Sequence, residues 1–214
     1  MNLVKTEFST DVWVNATWAD YLKILENPAY EKAKGYYYNG QGRIEMSPVG
    51  FNHSEDNGIL ALFVNLWGMA KGIPMRVQVN CTYRQSGKKE CQPDLSYYIG
   101  DRVKLSPKGI SVVDLDKNLP PDLVIEISAT SLADDLGNKR LLYEELGVRE
   151  YWVVDVQNSQ MIAFEMIATN GSQRIWESKL LPGLEMSLLE EGLQRSREAD
   201  NTEVGNWFLE WVRD

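Results

Sequence analysis

The clearest pattern along the chain is the alternation at 122–128. Asp122, Val124 and Glu126 fall on one side of an extended segment, and Leu123, Ile125 and Ile127 on the other. The second side is a plain core face, so a strand is predicted. Residues 94–99 read as another, opening after Pro93, where a strand start tolerates proline. Beyond Ser128 the apolar spacing lengthens to that of a helix. Leu132, Leu136, Tyr143 and Leu146 form its apolar side, Ser131 with Asp134 makes a capping-box-like start, and Gly147 ends it. Residues 150–155 give the next strand. The stretch 122–155 therefore predicts a β-α-β unit with a parallel pair and a right-handed crossover.

On either side the pattern continues. Thr17 opens a short helix that runs to Leu25 and stops before Asn27-Pro28. Residues 36–38 and 43–46 form a hairpin around Asn39-Gly40, a strong turn dipeptide. Ile59, Leu62, Phe63, Leu66 and Trp67 mark a helix over 53–71, closed by Gly72 and Pro74. Residues 75–83 and 91–99 predict one long hairpin turning at Ser86-Gly87-Lys88-Lys89, and strands at 161–167 and 174–180 flank a turn at Asn170-Gly171. Val204, Trp207, Phe208 and Trp211 give 201–214 an amphipathic helix face. Two tryptophans on so terminal a helix predict docking on the core or on a second subunit, and a homodimer is expected.

Glu126 changes the picture, because an unpaired carboxylate inside an apolar strand is costly and calls for a compensating cation. Asp94 opens a segment that brings it to Glu126 if the two strands are neighbours. Asp135 and Lys139, four residues apart, share a helix face. Magnesium takes carboxylate and carbonyl oxygens and keeps several waters. Asp94, Glu126 and the Ile127 carbonyl supply such ligands, and Lys139, reaching in from a partly exposed position, a compact cation that positions water or steadies transition-state charge. Taken singly, Pro93-Asp94 is a common strand entry and Asp135–Lys139 a common solvated ion pair; Glu126 resists so plain a reading. With His53 the lone histidine, no Ser-His-Asp or Cys-His device can rest on any other.

Pro93-Asp94, Pro121 to Ser128, Asp135 to Lys139, Tyr143 and the run 147–155 resemble the Uma2 family of restriction-endonuclease-like proteins. The resemblance extends to 38–48, His53 and Leu181 to Leu184, and so covers most of the chain. It implies kinship with PD-(D/E)XK nucleases: an α/β (α+β) fold with a mixed β-sheet flanked by helices, a magnesium or manganese site, and DNA as substrate. By that pattern Asp94 is the first acidic ligand and Glu126 the second. Ser128 stands where such nucleases carry lysine, whose role passes to Lys139 on the next helix, and Ala129 stands where the family has proline. The resemblance also implies support from His53 near the phosphate, from Asp135, and from a further acid, Glu45 or Glu55.

The chain of 214 residues can bury one substantial core, and no linker or repeat divides it. One domain over 1–214 is expected, with 192–214 an amphipathic extension. No run of about eighteen apolar residues is present, and the start lacks a signal-peptide layout, so a cytoplasmic protein without a membrane span is expected. Two cysteines are too few for a disulfide scaffold or a zinc site and predict reduced thiols. Acids outnumber bases 31 to 22, a net charge of −9 that argues against a non-specific DNA binder. Lys32, Lys34 and Arg43 supply local positive charge, and Lys88, Lys89, Arg102, Lys104 and Lys108 are expected to flank the site. Besides a magnesium-dependent endonuclease, the sequence allows a catalytically idle nuclease-fold protein that binds nucleic acid or a partner protein, favoured by Ser128 and the acidic surface. It also allows an acidic structural dimer.

Overall fold

The computed structural model describes residues 8–46, 50–109, 111–167 and 171–213. Ser47-Pro48, Asn170 of the expected turn and Asp214 lie outside the described residues.

The first elements are β1 (Val14–Asn15), α1 (Trp18–Leu25), β2 (Lys34–Tyr38), β3 (Gln41–Glu45) and α2 (Phe51–Lys71). Thr17 caps α1 by accepting from Asp20 N, and Asn39 and Gly40 both take positive φ in the β2–β3 turn. Next come β4 (Met75–Val79), β5 (Thr82–Gln85), β6 (Lys89–Cys91), β7 (Leu95–Ile99) and β8 (Val112–Asp114). Then follow β9 (Leu123–Ser128), α3 (Leu132–Asp134), α4 (Arg140–Leu146), β10 (Glu150–Asp155), β11 (Gln160–Ile167) and β12 (Gly171–Ile175). The helices α5 (Met186–Arg195) and α6 (Asn201–Arg213) complete the chain, and the boundary expected at 192 falls within α5.

The fold is α+β, but the strands form two mixed sheets where one was expected. Their orders are β1-β3-β2-β6-β5-β8 and β12-β11-β10-β9-β7-β4. The long hairpin expected over 75–99 is divided between them. Its outer arms, β4 and β7, pair in the second sheet, while its inner arms, β5 and β6, pair in the first. The chain changes sheets at Asn80, which takes φ 52°, and at Gln92-Pro93, where proline removes a ladder donor.

In the second sheet β9 lies parallel to β10 and antiparallel to β7. Leu123, Ile125 and Ile127 pack with Ile59, Phe63 and Trp67 of α2, whereas Val124 faces a second cluster with Tyr143 and Tyr151. The alternation read from the sequence thus separates two cores. The helix expected over 131–146 is interrupted: Gly137 (φ −101°, ψ −108°) kinks the chain between α3 and α4. Ser131 caps no backbone amide, and its hydroxyl donates to Asp135 Oδ2 at 2.6 Å. Gly147 closes α4 in the left-handed conformation.

The strand expected over 174–180 ends early. Lys179 N and Leu180 N donate to buried Glu150 Oε1 at 2.6 and 2.8 Å, and so are lost to any ladder. On α6, Phe208 stacks on Phe63 with ring centroids 4.5 Å apart, and Trp211 lies 6.2 Å from Trp67. The helix therefore docks on its own chain, which removes the ground on which a homodimer was expected. Cys81 and Cys91 are both free thiols. Among the described residues no helix is long and apolar enough to cross a membrane.

Candidate active site

A cleft of about 380 Å³ opens where the two sheets meet. The β2–β3 hairpin supplies Lys34, Arg43 and Glu45 to its wall. Period two explains why: Lys34 and Tyr36 share one face of β2, Arg43 and Glu45 the same face of β3, with Lys34 opposite Glu45 and Tyr36 opposite Arg43. The intervening Tyr37 and Ile44 point into a separate core with Tyr21. The second sheet contributes Asp94, Glu126 and Ile127, α2 contributes His53, and the segment after β9 contributes Ser131, Asp134 and Lys139.

Asp94 is buried and held on both oxygens. Oδ2 accepts from Ile127 N at 2.8 Å and lies 3.4 Å from His53 Nε2, while Oδ1 is paired with Lys34 Nζ. Burial disfavours its charge, but His53 and Lys34 outweigh that cost and hold the carboxyl well below the usual carboxylate range. The bond to Ile127 N sets Asp94 against the residue next to Glu126 and along the strand edge that also carries the Ile127 carbonyl.

Glu126 lies opposite Val153 of β10 and is buried among tyrosines. Tyr143 donates to Oε1 at 2.6 Å. The Tyr36 hydroxyl lies 3.2 Å from the same oxygen and donates to the Gln92 carbonyl at 2.9 Å. Burial is the main influence on Glu126 and pushes its carboxyl up, the charges of Asp94 and Asp135 push it further, and Lys139 and Lys34 oppose them.

Lys139 is not the partly exposed side chain expected from its helix position; it is buried, about 1% exposed. The kink at Gly137 and the short helix after it carry it inward. Its ammonium lies 2.7 Å from Glu45 Oε1, 2.8 Å from Asp135 Oδ1, 4.0 Å from Glu126 Oε1 and 4.2 Å from the Tyr36 ring centre. Burial favours its neutral form, yet Glu126, Asp135 and Glu45 more than offset this and raise its pKa, so it remains a cation. Asp135 is therefore no solvated partner: it is buried too, and its carbonyl accepts from Tyr151 OH at 3.0 Å.

The structure brings together Asp94, Glu126, Ile127, Lys139, His53, Glu45 and Asp135. It leaves out Glu55, which pairs with Arg197 at 3.1 Å; of the two candidates for a further acid, Glu45 lines the cleft. The basic residues expected to flank the site do not: Lys89 pairs with Glu145, Arg102 with Asp122 and Lys104 with Asp101, and neither Lys88 nor Lys108 lines the cleft. Sequence reasoning missed Tyr36, Tyr143 and Lys34 as site residues. The signal for Lys34 and Tyr36 was available in the hairpin, where Lys34-x-Tyr36 and Arg43-x-Glu45 repeat polar groups on the face turned away from Ile44.

A family model described as "Uma2: Putative restriction endonuclease" matches residues 18–201. The fold is similar to a crystal structure from Anabaena variabilis ATCC 29413, described as a putative nuclease belonging to DUF820. The TM-score is 0.54 at 17% identity, covering 90% of this chain and 99% of that one. No curated protein matches the chain.

Proposed function

We propose that this chain, which belongs to the Uma2 family of nuclease-like proteins, is a magnesium-dependent endonuclease that hydrolyses phosphodiester bonds in DNA, with manganese able to substitute. The observation that carries this reading is the meeting of Asp94, Glu126 and the Ile127 strand edge in one cleft with the buried ammonium of Lys139. Among the described residues no three His, Cys, Asp or Glu side chains gather as a ready-made metal cage. Magnesium does not need one, since it binds through one or two carboxylates and keeps its waters. Asp94, Glu126 and the Ile127 carbonyl form a hard-oxygen set that fits it. When bound, the ion would acidify an attacking water and stabilise charge on the phosphate.

The chain's own groups divide the remaining work. Tyr143 holds Glu126 by Oε1, with the Tyr36 hydroxyl packed beside the carboxylate. Lys139, caged between Glu45 and Asp135, supplies a fixed positive charge at the cleft. Glu45 and Asp135 fix that ammonium, and Arg43 in turn holds Glu45 at 2.8 Å. His53 faces Asp94 from the start of α2.

The test is nicking of supercoiled plasmid in magnesium or manganese by the parent and by Glu126→Gln. Cleavage by the parent that the variant lacks supports the proposal; equal cleavage, or none by either, rejects it. One observation favours the idle binding module instead: the Asp94 carboxylate is already paired with Lys34 and lies 3.4 Å from His53 Nε2. On that reading, calorimetry would find no magnesium or manganese site that depends on Glu126.

A further inference from the structure

We infer that Lys34 is a placeholder cation: in the metal-free protein its ammonium occupies the cation position beside Asp94, and it must leave before a divalent ion can use that carboxylate. The inference rests on the reading of Asp94 and Glu126 as metal ligands, and it concerns how that site is loaded.

Three groups hold Asp94, and they differ in what they can give up. Ile127 N belongs to the backbone of a central strand, and His53 is anchored on a helix of twenty-one residues. Lys34 is the first residue of β2, and its head lines the open volume on a long flexible stem that is 16% exposed. Its ammonium takes Oδ1, the oxygen that Ile127 and His53 leave for another partner. An ammonium and a divalent cation repel each other at contact distance. On Oδ1 they would compete for the same charge, each weakening the other's hold.

Lys139 cannot substitute as the removable cation. It is locked between Glu45 and Asp135 at 2.7 and 2.8 Å and is about 1% exposed. The two lysines of the cleft therefore have separate duties, one fixed and one exchangeable. An ammonium released from Asp94 remains tethered at the cleft wall, where a phosphate anion is its natural new partner. Anything that draws Lys34 to a phosphate vacates Oδ1, so phosphate and metal each favour the other's binding, and by the same factor.

Calorimetric titration of the full chain with manganese tests this, using the parent, Lys34→Met, Lys34→Gln and Glu126→Gln. Lys34→Met should bind manganese at least about tenfold more tightly than the parent, with a smaller gain for Lys34→Gln, which keeps a neutral donor near Asp94. A phosphorothioate duplex that resists cleavage should tighten manganese binding to the parent about fivefold and to Lys34→Met much less. A site visible only in the lysine variants supports the inference in its strongest form. Lysine variants that bind no tighter than a parent with a Glu126-dependent site overturn the placeholder role while leaving the metal site intact. Absence of any Glu126-dependent site in parent and lysine variants alike overturns the metal reading and this inference with it. Should Lys34→Met fail to fold by circular dichroism, the comparison with Lys34→Gln decides.

Discussion

Asp122 and Glu126 lie four residues apart on one side of the same extended segment, both shut away from water, yet their surroundings are opposites. Asp122 takes a hydrogen bond from Ile99 N at 2.8 Å and ion pairs from Arg102 at 2.9 Å and Arg149 at 3.3 Å. Arg102 is itself held by the Pro120 carbonyl. Each partner there belongs to the frame, and the carboxylate does not border the cleft. Glu126 is met by two tyrosine hydroxyls and by a lysine that it shares with Glu45 and Asp135, and it borders the cleft. Burial of an acid is therefore not what marks a reactive centre. What marks it is incomplete compensation next to open volume, which leaves room for another cation.

The comparison can be broken most directly by removing each charge in turn. Glu126→Gln should lower metal-dependent cleavage by roughly 1,000-fold without loss of thermal stability, since it deletes a charge the core resists. Asp122→Asn should do the reverse, costing about 3 kcal/mol of stability while the variant, once folded, cleaves within a few-fold of the parent. Plasmid nicking alongside thermal melting separates the two, and equal effects in both assays would erase the distinction drawn between them.

Lys139→Ala should damage both properties. It leaves Glu45, Asp135 and Glu126 without their shared cation, a loss of about 3–5 kcal/mol by denaturant titration, and cleavage should fall with it. Lys139→Arg should not restore activity, because the planar guanidinium cannot occupy a cage built for a compact ammonium. A variant as stable as the parent would show that the ammonium is not held as described.

A smaller effect concerns acid. Burial opposes the Glu45 charge, but Lys139 and Arg43 outweigh it and hold the carboxyl below its ordinary value of 4.5. A depressed folded-state value means stabilisation that is present above 4.5 and lost as pH falls through the folded-state value. Glu45→Gln should therefore flatten the decline of stability below about pH 4.5, measured as unfolding free energy against pH. The smallest change is expected on the Asp122 side. Arg149 is 56% exposed and duplicates Arg102, so Arg149→Ala should cost less than about 1 kcal/mol.

Much of this architecture is legible in the residues because local rules and packing agree. Leu123, Ile125 and Ile127 part from Val124 and Glu126 as period two requires, and Thr17, Asn39-Gly40 and Gly147 mark their element ends through caps and positive φ. The grouping of Asp94, Glu126 and Lys139 at one cleft is likewise anticipated by acids at apolar strands, by the i,i+4 spacing of Asp135 and Lys139, and by the resemblance those residues carry. Other features depend on tertiary choices that spacing does not encode. Nothing local says that residues 75–79 and 82–85 serve different sheets, because both alternate as one strand would. Ser131 turns its hydroxyl to the buried Asp135 carboxylate and accepts from no helix amide, a choice of direction that spacing does not encode. The burial of Asp135 and Lys139, on either side of the kink at Gly137, is a tertiary outcome that their i,i+4 spacing does not encode. Lys34 is legible only as local positive charge, since its pairing with Asp94 joins residues sixty positions apart.

The divided hairpin also gives the cleft a mechanical character. Lys34, Tyr36, Arg43 and Glu45 ride on one sheet, Asp94 and Glu126 on the other, and two of the chain's crossings between the sheets are the short ones at Asn80 and at Gln92, whose carbonyl Tyr36 grips. The cleft residues thus straddle the junction of the sheets, with ion pairs across it. A slight rocking of one sheet against the other would change the spacing between opposite charges. The Ile127 amide, which lies beyond the last β7–β9 pair and is held by Asp94 alone, is the natural gauge of that movement. Its hydrogen exchange should quicken when Lys34 is replaced, well before the neighbouring amides of β9 respond.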